Sequence, residues 1–195
     1  MSKVQLQHSV ASRLTARIVE TIADCCERIE VAGSVRRRAA IVGDIEVVAI
    51  PARLGGIFPG QGGASLLDVR LENLVVEGRL KLGRAQGEKY RQYAIPASPG
   101  LMLDLFIVTP QTWGVQLAIR TGPADFSRSL VTERQRGGRL DDGLVVGRGR
   151  VWRCDEVVRG MFDGANHRGP IFEPLPGAVP LDTPEERDFL AMAGG

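Results

Sequence analysis

Lysine, histidine, cysteine and aromatic side chains are all scarce in this chain: three lysines (Lys3, Lys81, Lys89), two histidines, three cysteines and 5% aromatic residues among 195. Each scarcity removes a class of function. Three cysteines, two of them adjacent (Cys25 and Cys26), cannot build a disulfide framework, and an odd count suits a reducing compartment. Cys154, between Arg153 and Asp155, reads as an inert strand cysteine rather than an activated thiol. His8 and His167 lie too far apart in sequence to support a zinc site or a histidine-based catalyst. No apolar run reaches the roughly 18 residues of a membrane span, and the polar N-terminus has no secretory pattern. A cytoplasmic location, within the host cell if the chain is viral, is expected, with no membrane partner. The glycine-rich stretch 55–63, GGIFPGQGG, lacks the G-K-[ST] ending of a phosphate-binding Walker loop and reads as a flexible loop.

Arginine is what the chain has in abundance. Of 25 basic residues all but the three lysines are arginine, yet the net charge is only +2. Residues 120–153 carry eight arginines against four acids, whereas residues 168–195 carry two arginines and five acids. An uneven basic segment suits a nucleic-acid track, since phosphate neutralisation dominates such affinity. Arg128, Arg134, Arg136, Arg148 and Arg150 are its candidate contacts. The alternative is an arginine-rich solvated surface.

The densest chemistry lies in residues 33–46, GSVRRRAAIVGDIE. The β-branched stretches IEVAGSV and GDIEVVAI read as two strands with a polar connection. Asp44 and Glu46 open the second strand and, by alternation, share one face, about 6.5–7 Å apart at their Cα atoms. Two acids so placed can converge on one divalent cation and share a second; metal pairs about 3.5–4 Å apart are the usual device for in-line phosphoryl transfer. Hard oxygen ligands suit magnesium. Gly33-Ser34 reads as a tight turn with a hydroxyl and backbone N–H donors, and Arg36, Arg37 and Arg38 follow with forked donors for phosphate oxygens. Asp104 is the only charge in the apolar run LMLDLFIV (101–108), a predicted central strand, where an acid must be hydrogen-bonded, paired or metal-bound. Taken singly, each piece also has a structural reading: a turn, a solvated arginine face, a strand-edge acid pair, an acid paired with arginine.

Together these residues resemble the signature of the polymerase-beta-type nucleotidyltransferases, and within them the family X DNA polymerases. Gly33, Ser34, Arg36, Arg37, Asp44, Glu46 and Asp104 stand at the family's spacing. TGPADFSRS (121–129) resembles its Thr-Gly segment, and PLDTPEERDFLAMAG (180–194) its C-terminal helix start. The resemblance implies an α+β fold, a palm of mixed sheet with helices on one side over residues 1–109 and a small α+β nucleotide- and DNA-binding subdomain over 110–195, as in minimal viral members. It implies two Mg²⁺ ions, with Mn²⁺ able to substitute, on Asp44, Glu46 and Asp104 as catalytic and metal-binding acids. It further implies nucleotide binding by Gly33, Ser34, Arg37, Gly43, Thr121, Gly122 and Phe126. DNA, as primer-template or gapped duplex, and dNTP are the implied partners of a monomeric repair enzyme. Starting so close to the palm, the chain is expected to lack lyase activity. Two departures stand out: Glu46 is where the polymerases usually have Asp, and Ile119-Arg120 is where aromatics often precede Thr-Gly, which leads to the expectation of weak ribonucleotide exclusion. Other readings are a nontemplated transferase acting on RNA, protein or a small molecule, and an inert nucleic-acid-binding module.

Around the signature, periodicity predicts a helix over 9–28 with Val10, Leu14, Ile18, Ile22, Cys25 and Ile29 facing the core. It also predicts a helix capped by Ser65 and stopped at Gly78, and strands at 79–84, 89–96 and 101–108. Helices over 111–119 and 123–136, a hairpin of 140–146 with 150–154, and a last helix starting at 182–186 complete the expectation.

Overall fold

The computed structural model describes residues 4–55, 63–160 and 171–194. Lys3, His167 and most of the predicted 55–63 loop lie outside the described residues. The chain divides into two compact units, Met1–Thr109 and Pro110–Gly195. It is a mixed α+β protein.

The first unit is built on a five-stranded sheet. Its elements are β1 (Leu6–Gln7), α1 (His8–Ile22), β2 (Cys26–Val31), α2 (Gly33–Arg36), β3 (Ile41–Val42), β4 (Ile45–Pro51), α3 (Leu66–Val76), β5 (Lys81–Gln86), β6 (Tyr90–Ala94) and β7 (Met102–Ile107). The strand order is β2-β4-β7-β6-β5, with β4 and β7 parallel and the other neighbours antiparallel. Side chains alternate across this sheet. Ile45, Val47 and Ala49 of β4, Leu103 and Leu105 of β7 and Tyr93 of β6 share one core with Ile22 from the end of α1 and Leu67, Leu71 and Leu74 of α3. Ser65 caps α3 as expected, accepting from the Asp68 N–H at 3.1 Å, and Gly78 with φ +70° lies just past its end.

The predicted helix 9–28 is shorter than expected. It ends at Ile22, passes through a 3₁₀ turn Ala23–Cys25, and becomes β2. Cys25, Cys26 and Ile29 still pack on the core, but the last two do so from a strand paired with β4, so their spacing looked helical while sheet pairing decided the backbone. On α1 itself Ala11 and Thr15 are buried, whereas Val10 is exposed.

The second unit contains α4 (Trp113–Thr121), α5 (Ala124–Leu130), β8 (Leu144–Gly147), β9 (Arg150–Arg153), β10 (Val157–Gly160), β11 (Ile171–Pro174) and α6 (Glu186–Met192). Its core gathers Val115, Ala118, Leu130, Leu140, Val151, Phe189 and Ala193. Gly114 lets α4 approach the start of α6: a Cβ there would stand 2.1 Å from the Glu185 carbonyl oxygen. The predicted hairpin is present, closed by Arg148 and Gly149 with φ of 53° and 78°, as a type I′ turn requires. The predicted helix 123–136 stops at Leu130; Ser129 and Thr132 turn their hydroxyls back onto the carbonyls of Phe126 and Arg128, and only a 3₁₀ turn, Arg134–Arg136, follows. The last helix is capped at Glu185 through a capping box with Asp188, later than Asp182, because Thr183 is buried and its hydroxyl accepts from Val115 N–H and donates to the Gln111 carbonyl. No described helix is long and apolar enough to cross a membrane.

Two consequences are measurable. Leu103→Ala, at a fully buried position of the central β7, should destabilise the first unit by about 2–5 kcal/mol in denaturant titration. Burial, with the neighbouring Cys25 adding to it, pushes the Cys26 thiol up to about 12. The unfolded chain releases that proton near pH 8.5, so the stability carried by neutral Cys26 is present below about pH 8.5 and lost as pH rises towards the folded value. The alkaline decline in stability should therefore be shallower in Cys26→Ala.

Candidate active site

The glycine-serine turn is held against β4 from both sides. Ala32 donates its N–H to the Glu46 carbonyl at 2.8 Å, tying the residue before the turn to the strand that carries the acids. Gly33 then adopts φ +60° and opens the single turn of α2. A side chain is excluded there twice over: L residues rarely adopt that φ, and a Cβ would fall 1.8 Å from Glu46 Oε2. The first i→i−4 bond of α2 is Arg36 N–H to Ala32 O, so the N–H groups of Gly33, Ser34 and Val35 precede it. The Ser34 hydroxyl oxygen is buried with no hydrogen-bond partner among the described residues.

The turn closes in a Schellman arrangement: Arg38 N–H donates to Val35 O at 3.0 Å and Ala39 N–H to Ser34 O at 3.0 Å, with Arg38 at φ 56° where glycine is usual. Arg36, Arg37 and Arg38 are all exposed. His8, absent from the sequence-level site, fixes the same segment, its Nε2–H donating to Val35 O at 3.0 Å.

Glu46 and Asp104 are partners in the parallel register of β4 and β7, on the face opposite the buried Ile45, Val47, Leu103 and Leu105. Both are half-buried. Glu46 lies against Gly33, while Asp104 Oδ1 accepts from Tyr90 OH at 2.9 Å and Gln92 Nε2 at 3.0 Å on β6. Asp44, with Gly43, sits in the bend just ahead of β4, one residue earlier than the strand itself. Arg36, Arg37, Asp44 and Glu46 each have a partner. Among the described residues no three His, Cys, Asp or Glu side chains are grouped as a metal site. An apolar cavity of about 340 Å³ lies elsewhere in this unit, on the helix-covered side between α1 and α3, and none of the three acids lines it.

In the second unit Thr121 ends α4 and Gly122 follows it. A Cβ on Gly122 would press within 2.6 Å of the Phe126 ring and 2.8 Å of Ser127 Oγ. Phe126 is exposed, with the Arg139 guanidinium 5.2 Å from its ring centroid. Ser127, unnoticed in the sequence, has a buried hydroxyl with no hydrogen-bond partner among the described residues. Four of the five candidate contact arginines are engaged with acids: Arg128 with Asp125, Arg134 with Asp141, Arg136 with Glu133 and Arg148 with Glu173. Arg150 begins β9, half-buried. The Cys154 thiol is pushed up by burial and by Glu133, which accepts its hydrogen bond.

Sequence reasoning missed Tyr90 and Gln92 because both sit in an ordinary strand pattern; only their register opposite Phe106 and Asp104 gives them a role. Compared with models of known protein families and with curated proteins, the chain has no match.

The contact between Gly33 and Glu46 is open to a double-mutant cycle. Gly33→Ala should destabilise by more than the roughly 1–2 kcal/mol of left-handed strain, and adding Glu46→Ala should recover the excess by removing the carboxylate that the methyl group strikes. Denaturant unfolding of the four proteins measures the coupling.

Proposed function

We propose that the protein is a nucleotidyltransferase that adds dNTPs to a DNA primer 3′-hydroxyl, a family X polymerase with its palm in the first unit, serving gap filling in DNA repair. One arrangement carries the reading: Glu46 and Asp104 in register on adjacent parallel strands, with Glu46 against a glycine-serine turn whose hydroxyl is buried and unpartnered. A buried hydroxyl without a partner costs on the order of 1–3 kcal/mol, a cost that a phosphate oxygen accepting its hydrogen bond would offset. Gly33 leaves room only because it has no side chain, and the N–H groups that follow it are free of intrahelical bonds.

Asp44, Glu46 and Asp104 are the acids that would hold Mg²⁺, or Mn²⁺ in its place. The ions bound there would neutralise triphosphate charge and favour ionisation of the attacking hydroxyl. Ser34, the turn N–H groups and Arg37 orient the triphosphate. The O3′–Pα bond forms as the bond from Pα to the bridging oxygen breaks; pyrophosphate leaves with that electron pair, and the hydroxyl proton passes to Asp104. Phe126 offers an exposed aromatic face to a base.

A second reading, a nontemplated transferase acting on RNA, protein or a small molecule, draws on the pairing of Arg128, Arg134, Arg136 and Arg148 with acids, which leaves a weaker cationic track than the composition promised. Extension of a labelled primer alone, on a template and on a gapped duplex, with each dNTP, separates the two. Template-directed addition is expected, and Asp44→Ala, Glu46→Ala or Asp104→Ala should each lower the rate roughly a hundredfold or more. Full activity of Asp104→Ala in magnesium would sink the acidic site, and addition indifferent to template would transfer the assignment to the second reading.

A further inference from the structure

We infer that Tyr90 and Gln92 are positioning residues that hold one oxygen of Asp104 and leave its other oxygen for a divalent cation, an inference that rests on the nucleotidyl-transfer reading. Both donors fall on Oδ1, and among the described residues none falls on Oδ2. The sheet explains why. Gln92 is the antiparallel partner of Asp104, so its side chain rises on the same face directly beside the acid. Tyr90 is the partner of Phe106, two residues along, and its ring stacks on Phe106 at 5.1 Å and 17°, which aims the phenol along the diagonal to Asp104. Gln92 Nε2 also lies 3.4 Å from the Tyr90 hydroxyl oxygen, closing a three-membered polar cluster. A carboxylate only accepts hydrogen bonds, so the Gln92 amide must present its NH₂ and Tyr90 its O–H.

A carboxylate that is free to rotate presents either oxygen, or both, to a cation. Pinned through Oδ1 from the β6 side, Asp104 keeps Oδ2 clear of protein donors among the described residues. Outer partners of this kind fix ligand orientation and affect metal affinity roughly ten- to hundredfold.

Manganese titration followed by the electron paramagnetic resonance of free Mn²⁺ tests this on the full chain. Tyr90→Phe keeps the ring and its stacking; Gln92→Met keeps length and removes the donor. Each should weaken Mn²⁺ binding, and the double variant by roughly tenfold or more. Thermal unfolding should shift little. In primer extension the variants should lose kcat with the nucleotide KM unchanged, and raised Mn²⁺ should restore part of the rate. Wild-type Mn²⁺ affinity and kcat in Tyr90→Phe and in the double variant would reduce the cluster to packing and overturn the inference while leaving nucleotidyl transfer standing. A wild-type protein that neither binds Mn²⁺ nor transfers nucleotides would overturn both.

Discussion

The alternation of β4 and β7 is the constraint on which the rest of the first unit depends. Ile45, Val47, Ala49, Leu103 and Leu105 are completely buried in the core shared with α1 and α3, and burying each of the four larger side chains stabilises by about 1.5–3 kcal/mol. A slip of one residue on either strand would turn those groups to the other face and drive Glu46 or Asp104 into the apolar layer, a loss on both counts. The hydrophobic core therefore fixes the acid pair: the two carboxylates stand in register because their neighbours have only one place to go. Parallel pairing of β4 with β7 adds the second condition, bringing residues 58 positions apart to adjacent strands.

The turn that faces this pair is held by backbone geometry that few side chains tolerate. Gly33 has a left-handed φ and no room for a Cβ, and Arg38 also takes a left-handed φ without being glycine. Unusual backbone of this kind persists where the surroundings over-determine it. Here they do: Ala32 is bonded to β4, the Arg38 and Ala39 N–H groups close the Schellman pattern, and His8 grips the Val35 carbonyl from the start of α1. His8 thus links the packing of α1 to the placement of the Ser34 hydroxyl.

Much of this was legible because short-range rules governed it. Glu46 and Asp104 in the predicted strands, the Ser65 cap, the Gly78 stop and the hairpin around Arg148-Gly149 all follow from alternation, capping or turn chemistry, whereas Asp44 falls one residue short of its strand. The misreadings share a different cause. Residues 23–28 have helical spacing, but pairing with β4 outweighs it; residues 131–136 have helical composition, but β-branched Val131 and Thr132 and back-bonding hydroxyls end α5 early. The roles of Tyr90 and Gln92 exist only in the register of β6 with β7, and no local pattern encodes a cross-strand partner.

Charge followed the same division. Counting residues showed an arginine-rich segment, but not that Arg134 lies 2.7 Å from Asp141 or that Arg136 lies 3.2 Å from Glu133. An exposed pair such as Arg134–Asp141 contributes little to stability, typically below about 1 kcal/mol, so a phosphate can replace the carboxylate at small cost. Two of the buried polar atoms without a hydrogen-bond partner among the described residues are more selective: the hydroxyls of Ser34 and Ser127, each in a segment read as nucleotide-binding. In the proposed reaction the exchangeable surface cations would govern salt-dependent association, whereas the unpaired hydroxyls, costly to leave empty, would reward only a ligand that places an acceptor against them.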